Sequence, residues 1–164
     1  MRRIFLFLSA FFLLLAGFLR DAEAAGWGFG AEIGSITAVE GGTPFVFRLT
    51  PSKRSSEEFS LGMSFYLTPA GDNKMYSGAF IARFHAKAGR LLLTPFLGAG
   101  VVHRRTDTDN DTAIMFPVGA TLGYPVGEAL FLVGTVSVNL HDLELDGKED
   151  TTSIGLTAGI AYSP

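Results

Sequence analysis

Ser153-Ile154-Gly155-Leu156-Thr157-Ala158-Gly159-Ile160-Ala161-Tyr162 alternates without a break. One side carries Ile154, Leu156, Ala158, Ile160 and Tyr162; the other carries Ser153, Gly155, Thr157, Gly159 and Ala161. A period of two marks a β-strand, whose successive side chains point to opposite faces. One face here is fatty and the other small or polar. Such a strand is either half of a soluble barrel or sandwich, or the wall of a membrane barrel.

Working back from this stretch, the same alternation recurs eight times from Trp27 onward, each run followed by a turn signal. It predicts strands over 26–38, 44–51, 57–68, 74–87, 90–104, 111–124, 129–141 and 151–163. The connections alternate in character. Gly41-Gly42-Thr43, Pro69 to Asn73, Thr106 to Thr112 and Asp142 to Thr152 are polar; Pro51 to Ser56, Lys87-Ala88-Gly89 and Pro125 to Glu128 lie between them. Short turns at one rim and charged loops at the other fit a membrane barrel, and an even strand count puts both ends of the chain at the short-turn rim.

The N-terminus bears on the same choice. Arg2 and Arg3 precede an apolar run from Ile4 to Leu19, and Ala22-Glu23-Ala24 forms an A-x-A site. This is the pattern of a secretory signal peptide, with cleavage expected after Ala24. Residues 25–164 then form one domain. The chain has no cysteine, which removes disulfides, thiolate metal sites and a cysteine nucleophile. A net charge of −3 argues against a nucleic-acid surface. No later apolar run reaches the length of a membrane helix, so a membrane-crossing form of this chain has to be a closed barrel.

Parity supplies a sharper criterion. The fatty face of each strand contains no charged residue: Ile33, Phe47, Leu61, Phe80, Leu97, Val118, Val136 and Leu156 typify the eight sets. A charge facing lipid at mid-depth costs roughly 2–4 kcal/mol, whereas a soluble barrel spreads charge over its outer wall. The complementary faces hold Glu32, Arg48, Arg83 and His85 among glycines, serines and threonines. The interior of an eight-stranded barrel just fits side chains, and buried charges there need partners, so a lumen network of Glu32 with Arg48 and Arg83 is expected. Trp27, Phe59, Phe84, Tyr124 and Tyr162 fall on the fatty face near the short-turn rim, and Phe45, Phe65, Tyr76 and Phe116 near the loop rim. These are the expected positions of two interfacial aromatic girdles. The fold class predicted is therefore all-β, an eight-stranded antiparallel up-and-down transmembrane β-barrel.

Thr94-Pro95-Phe96-Leu97-Gly98-Ala99-Gly100-Val101-Val102 resembles the "PYLGAGV" strand of small OmpA/OmpX-like outer-membrane β-barrels, and Val118 to Tyr124 with the following hairpin resembles the next part of that family. As a pattern the resemblance spans nearly all of 25–164. It implies insertion from the periplasm of a Gram-negative cell by the barrel-assembly machinery. Members commonly end in an aromatic residue; here the last aromatic, Tyr162, is followed by Ser163-Pro164.

No catalytic constellation emerges. Lipid A deacylases of this scaffold carry a His-x-Ser-Asn motif, whereas His141 is followed by Asp142-Leu143-Glu144. His103 and His141 lie near the loop rim, as polar rim residues. Asp107-x-Asp109-x-Asp111 and Asp142-x-Glu144-x-Asp146-Gly147 share the opening spacing of a calcium loop, but position twelve holds Val118 and Ser153 instead of glutamate. They read as solvated hairpin tips, with no metal or cofactor expected. Arg104 and Arg105 at the same rim are placed to meet lipopolysaccharide phosphates, and Asp107, Asp109 and Asp111 to share divalent ions with them. The favoured function is a monomeric, non-enzymatic outer-membrane protein in contact with outer-membrane lipids, including lipopolysaccharide. The alternatives are a lipid A-modifying enzyme in the same scaffold and a soluble exported lipocalin-like carrier.

Overall fold

Strict alternation of β-branched, aromatic and small residues favours extended backbone, and the described residues fold as strands joined by turns. A computed structural model describes residues 26–37, 45–68, 74–107, 109–145 and 147–164. The predicted signal peptide, the loops at 41–43 and 69–73, and Asp146 lie outside these residues.

The strands are β1 (Trp27–Thr37), β2 (Phe45–Arg54), β3 (Phe59–Leu67), β4 (Lys74–Phe84), β5 (Ala86–Ala88), β6 (Leu91–Arg105), β7 (Asn110–Pro125), β8 (Leu130–Leu145) and β9 (Lys148–Tyr162). β4 and β5 form one stave, broken at His85. Every neighbour pairs antiparallel in sequence order, and β1 pairs with β9 to close an eight-stave barrel. At that seam Gly159 is required, because a Cβ there would run into the Ala31 carbonyl and the Glu32 backbone. Both ends of the described chain sit at the short-turn rim, where Arg54 N–H donates to the Gly26 carbonyl and Ser163 N–H to that of Ala129. The Gly89-Arg90 turn uses Gly89 at φ 62°, a left-handed conformation that glycine adopts at no steric cost.

Three features differ from the sequence expectation. First, β2 runs on through Pro51 to Arg54, in place of the expected turn over 51–56. Pro51 has no N–H to give the ladder, and the β2–β3 pairing skips it, resuming at Ser52↔Gly62. The extension carries Lys53 onto the outer face at the rim. Second, the expected loop from Asp142 to Thr152 is mostly a hairpin of β8 and β9, turning through Gly147 at φ 74°, with a register shift between Leu140 and Leu143. Asp142 and Glu144 are exposed above the aromatic girdle, where an outward charge does not oppose a strand. Third, the lumen is not uniformly polar. Ile36, Val46, Tyr66, Ile81, Phe96, Val102 and Met115 point inward and pack into an apolar cluster across its middle and loop-side half.

The outer wall is the inverse of a soluble surface. Phe80 is 72% exposed, Ile114 65% and Leu156 61%, and their neighbours across the strands are apolar too. An apolar surface this continuous marks contact with a non-aqueous partner. Strands β6 to β9 have 15 to 16 residues, more than the roughly 9–11 that a tilted membrane strand requires. Their loop-side ends therefore stand beyond the girdle.

Candidate functional site

The lumen divides into two charged sites separated by the apolar cluster. In the short-turn half, Glu32 and Arg48 are directly opposite on β1 and β2. The Arg48 Nη1 donates to Glu32 Oε1 at 2.8 Å, and both side chains are almost wholly buried. Glu32 Oε2 accepts from Thr157 Oγ1 at 2.7 Å, and Arg48 Nε donates to Ser64 Oγ at 3.1 Å. The Arg48 guanidinium also lies 5.0 Å from the Phe96 ring centre and 5.6 Å from that of Tyr66. Bonded carboxylate, bonded guanidinium and aromatic faces together make a pair whose solvation the protein has replaced.

Arg83 enters the same region but makes no ion pair with Glu32, contrary to the expected three-member network. Both carboxylate oxygens are already engaged. Arg83 Nη2 instead donates to the Met63 carbonyl at 3.3 Å, beside the ladder gap left by Pro51. Its Nη1 is buried without a hydrogen-bond partner among the described residues. His85 is half-buried, with Nε2 2.9 Å from Ser60 Oγ and Nδ1 3.2 Å from Thr94 Oγ1. Glu32, Arg48, Arg83 and His85 line a cavity of about 80 Å³ that also touches Thr50, Ser52, Thr94 and Thr121.

In the loop-side half, Arg104 is buried and its Nη1 meets Asp150 Oδ2 at 2.6 Å. Arg104 thus faces the lumen, where the sequence reading places it at the surface. The next residue, Arg105, is exposed and lies opposite Lys74, also exposed. Asp150 escapes the sequence reading because β9 slips out of alternation at Thr151-Thr152, so Asp150 and Ser153 are both buried although three residues apart. His141 is buried, with Nδ1 2.8 Å from the Asp150 carbonyl and Nε2 3.4 Å from Ser153 Oγ. His103 lies on the outer face, stacked on Tyr76 with ring centres 6.5 Å apart and bonded to Thr112 Oγ1 at 2.8 Å. The two histidines are on opposite sides of the wall and do not form one site.

The acidic loop residues are taken up by backbone. Asp109 closes the turn with Thr106, and its Oδ1 accepts from Asn110 N–H at 2.8 Å. Asp111 accepts from Glu144 N–H at 2.8 Å and Thr112 N–H at 2.7 Å, which ties the β6–β7 and β8–β9 hairpins together. These two donors hold the exposed Asp111 carboxyl below the usual carboxylate range, Glu144 contributing most. Asp107 is exposed. Among the described residues, no group of three acidic or histidine side chains converges as a metal site would require.

The aromatic positions follow the wall. Trp27, Phe84 and Tyr124 are exposed at the short-turn rim, with Phe59 and Tyr162 partly so, and Phe59 packs on Phe84 at 5.3 Å between ring centres. Phe45, Tyr76 and Phe116 are exposed toward the loop rim.

A charge-free apolar wall closed around a packed lumen defines the class: an eight-stranded outer-membrane-type β-barrel. Solved structures of the same form are known. Neisserial surface protein A is similar with a TM-score of 0.65 at 16% identity, over 85% of this chain and 97% of that one. The N-terminal β-barrel domain of Pseudomonas aeruginosa OprF gives 0.53 at 16% identity, over 82% and 97%. A major outer membrane protein from Thermus thermophilus gives 0.52 at 13% identity, over 83% and 98%. At these identities the likeness is one of fold. No family model matches the chain, and no curated protein does.

Proposed function

We propose that the protein is an integral outer-membrane protein with a non-enzymatic, structural or surface-interaction role, exported through cleavage of residues 1–24 and inserted as a monomer by the barrel-assembly machinery. The observation that carries this reading is the outer wall. Between the two aromatic girdles it presents apolar side chains with no charge among the described residues, and its exposed charges, such as Lys53, Lys74, Arg105, Asp142 and Glu144, stand at or beyond the rims. The separation of His103 from His141 speaks against the lipid-modifying alternative. The apolar face on the outside, with charge and hydroxyls inside, speaks against a soluble carrier of fatty ligands.

The partner on the outer leaflet is lipopolysaccharide. Lys74 and Arg105 are directly opposed like charges on the outward face, just above Tyr76 and His103. Like charges so placed repel, and an anion between them removes the repulsion. Neither forms an ion pair among the described residues. A lipid phosphate at headgroup depth meets both.

The test is a heat-modifiability gel on membrane fractions. The reading predicts recovery with the outer membrane and a shift in migration on boiling. Recovery in the periplasmic supernatant without detergent contradicts it. For the lipid contact, Lys74→Gln/Arg105→Gln is expected to weaken co-purification of lipopolysaccharide severalfold; unchanged recovery removes that part.

A further inference from the structure

The charges of the short-turn half do not balance. Glu32 bonds Arg48 through one oxygen and Thr157 through the other, and Arg83, with Arg48 and Glu32 as its charged neighbours, makes no ion pair among the described residues. Arg54 stands outside this cavity, at the rim beside His85, its guanidinium held by main-chain oxygens of Ser56, Glu57 and Pro164. Arg83 is only 8% exposed. A buried guanidinium without a counter-charge is costly, and a buried N–H without an acceptor adds to that cost.

The position is built rather than incidental. Arg83 packs directly against Gly62, where a Cβ would run into the Pro51 carbonyl and come within 2.7 Å of Arg83 Nη1. Nη2 is oriented by the Met63 carbonyl, beside the gap that Pro51 leaves in the ladder. The adjoining cavity of about 80 Å³ is lined by Thr50, Ser52, Thr94 and Thr121, whose hydroxyls can donate as well as accept, together with Glu32; Thr94 and Thr121 are also bonded to His85 and Thr135. Tyr162 and Ser163 line it at the short-turn end.

We propose that this cavity is a binding site for a small monovalent inorganic anion of the chloride class, held by Arg83 and the surrounding hydroxyls and reached from the short-turn rim. Two guanidiniums against one carboxylate leave a single positive charge, which one monovalent anion neutralises and a phosphate dianion would overshoot. Water fills space and accepts a hydrogen bond but neutralises nothing. The site is separate from the rim pair Lys74 and Arg105, and it holds whether or not that pair meets lipid.

The experiment uses the full barrel in detergent at constant ionic strength, titrating sodium chloride against sodium gluconate, whose anion is too large for the cavity. Chloride is expected to raise the thermal midpoint by several degrees with a saturable dependence, and gluconate is not. Arg83→Gln should abolish the saturable component, whereas Arg105→Gln should keep it. A chloride response that survives in Arg83→Gln, or an equal response to gluconate, overturns the proposal. If Arg83→Gln does not fold, crystals of the unaltered protein grown in bromide decide: an anomalous peak within hydrogen-bonding distance of Arg83 supports the site, and a cavity without one refutes it.

Discussion

The two faces of one wall obey different rules. Outward from Val136, Val138, Ile154 and Leu156 every described position between the girdles is apolar or small, and exchanging one apolar residue for another there changes little. Inward, on the residues between them, Thr135, Ser137, Asn139 and Thr157 are buried in specific bonds. The outer face is governed by exclusion, because lipid rejects charge wherever it appears. The inner face is governed by pairing, because each buried polar group needs a particular partner. Exclusion tolerates many sequences and pairing few.

The largest effect should come from breaking a pair. Glu32→Ala leaves Arg48 buried and uncompensated, and is expected to destabilise the barrel by about 3–5 kcal/mol in urea unfolding from vesicles. Glu32→Leu combined with Arg48→Met should recover most of that loss. A double variant as unstable as the single one would mean that the lumen needs charge and not merely satisfaction. Next comes breaking the exclusion. Leu156→Arg on the outer wall should cost roughly 2–4 kcal/mol, and Leu156→Val far less. Equal tolerance of arginine and valine would place that face in water.

A smaller change is expected at the girdle. Phe84→Ala removes a ring pair with Phe59 and should cost about 0.5–1.5 kcal/mol beyond lost area, again by unfolding from vesicles. The smallest effect lies beyond the membrane. The Asp111 carboxyl titrates below its ordinary value of 3.8, so its tie to Glu144 is complete above that value and lost as pH falls through the depressed one. Hydrogen exchange at the Glu144 amide should rise in that acid range, relative to its neighbours, and should already be raised in Asp111→Asn at neutral pH.

The contrast also explains what could be read from the sequence. Exclusion acts at every second residue, so parity alone gives the eight staves, the outer face and the aromatic positions toward its two rims. Glu32 and Arg48 are legible as inward charges for the same reason. Their separation from Arg83 is not, because Thr157, far away in the chain, takes the second Glu32 oxygen. Arg104 reads as a surface residue because its partner Asp150 lies before the expected start of the last strand, past a slip in alternation that no periodic rule detects. The hairpin at 142–152 looks like a loop when its charges are judged by the lipid rule, which lapses once the strands rise above Tyr76 and Phe116. Tyr66 and Phe96 in the lumen carry a parity signal, but a reading that credits aromatic residues to the outer wall alone passes over them.

The central claim is that the apolar face meets lipid, and the absence of native cysteine makes it directly measurable. Single cysteines at Val136, Ser137 and Val138, each carrying a nitroxide, can be compared for collision with oxygen and with a polar nickel chelate. Oxygen access and nickel exclusion are expected at 136 and 138, with label 137 shielded from both or failing to fold. Ready access of the nickel chelate to 136 and 138 in the membrane-reconstituted protein would contradict it.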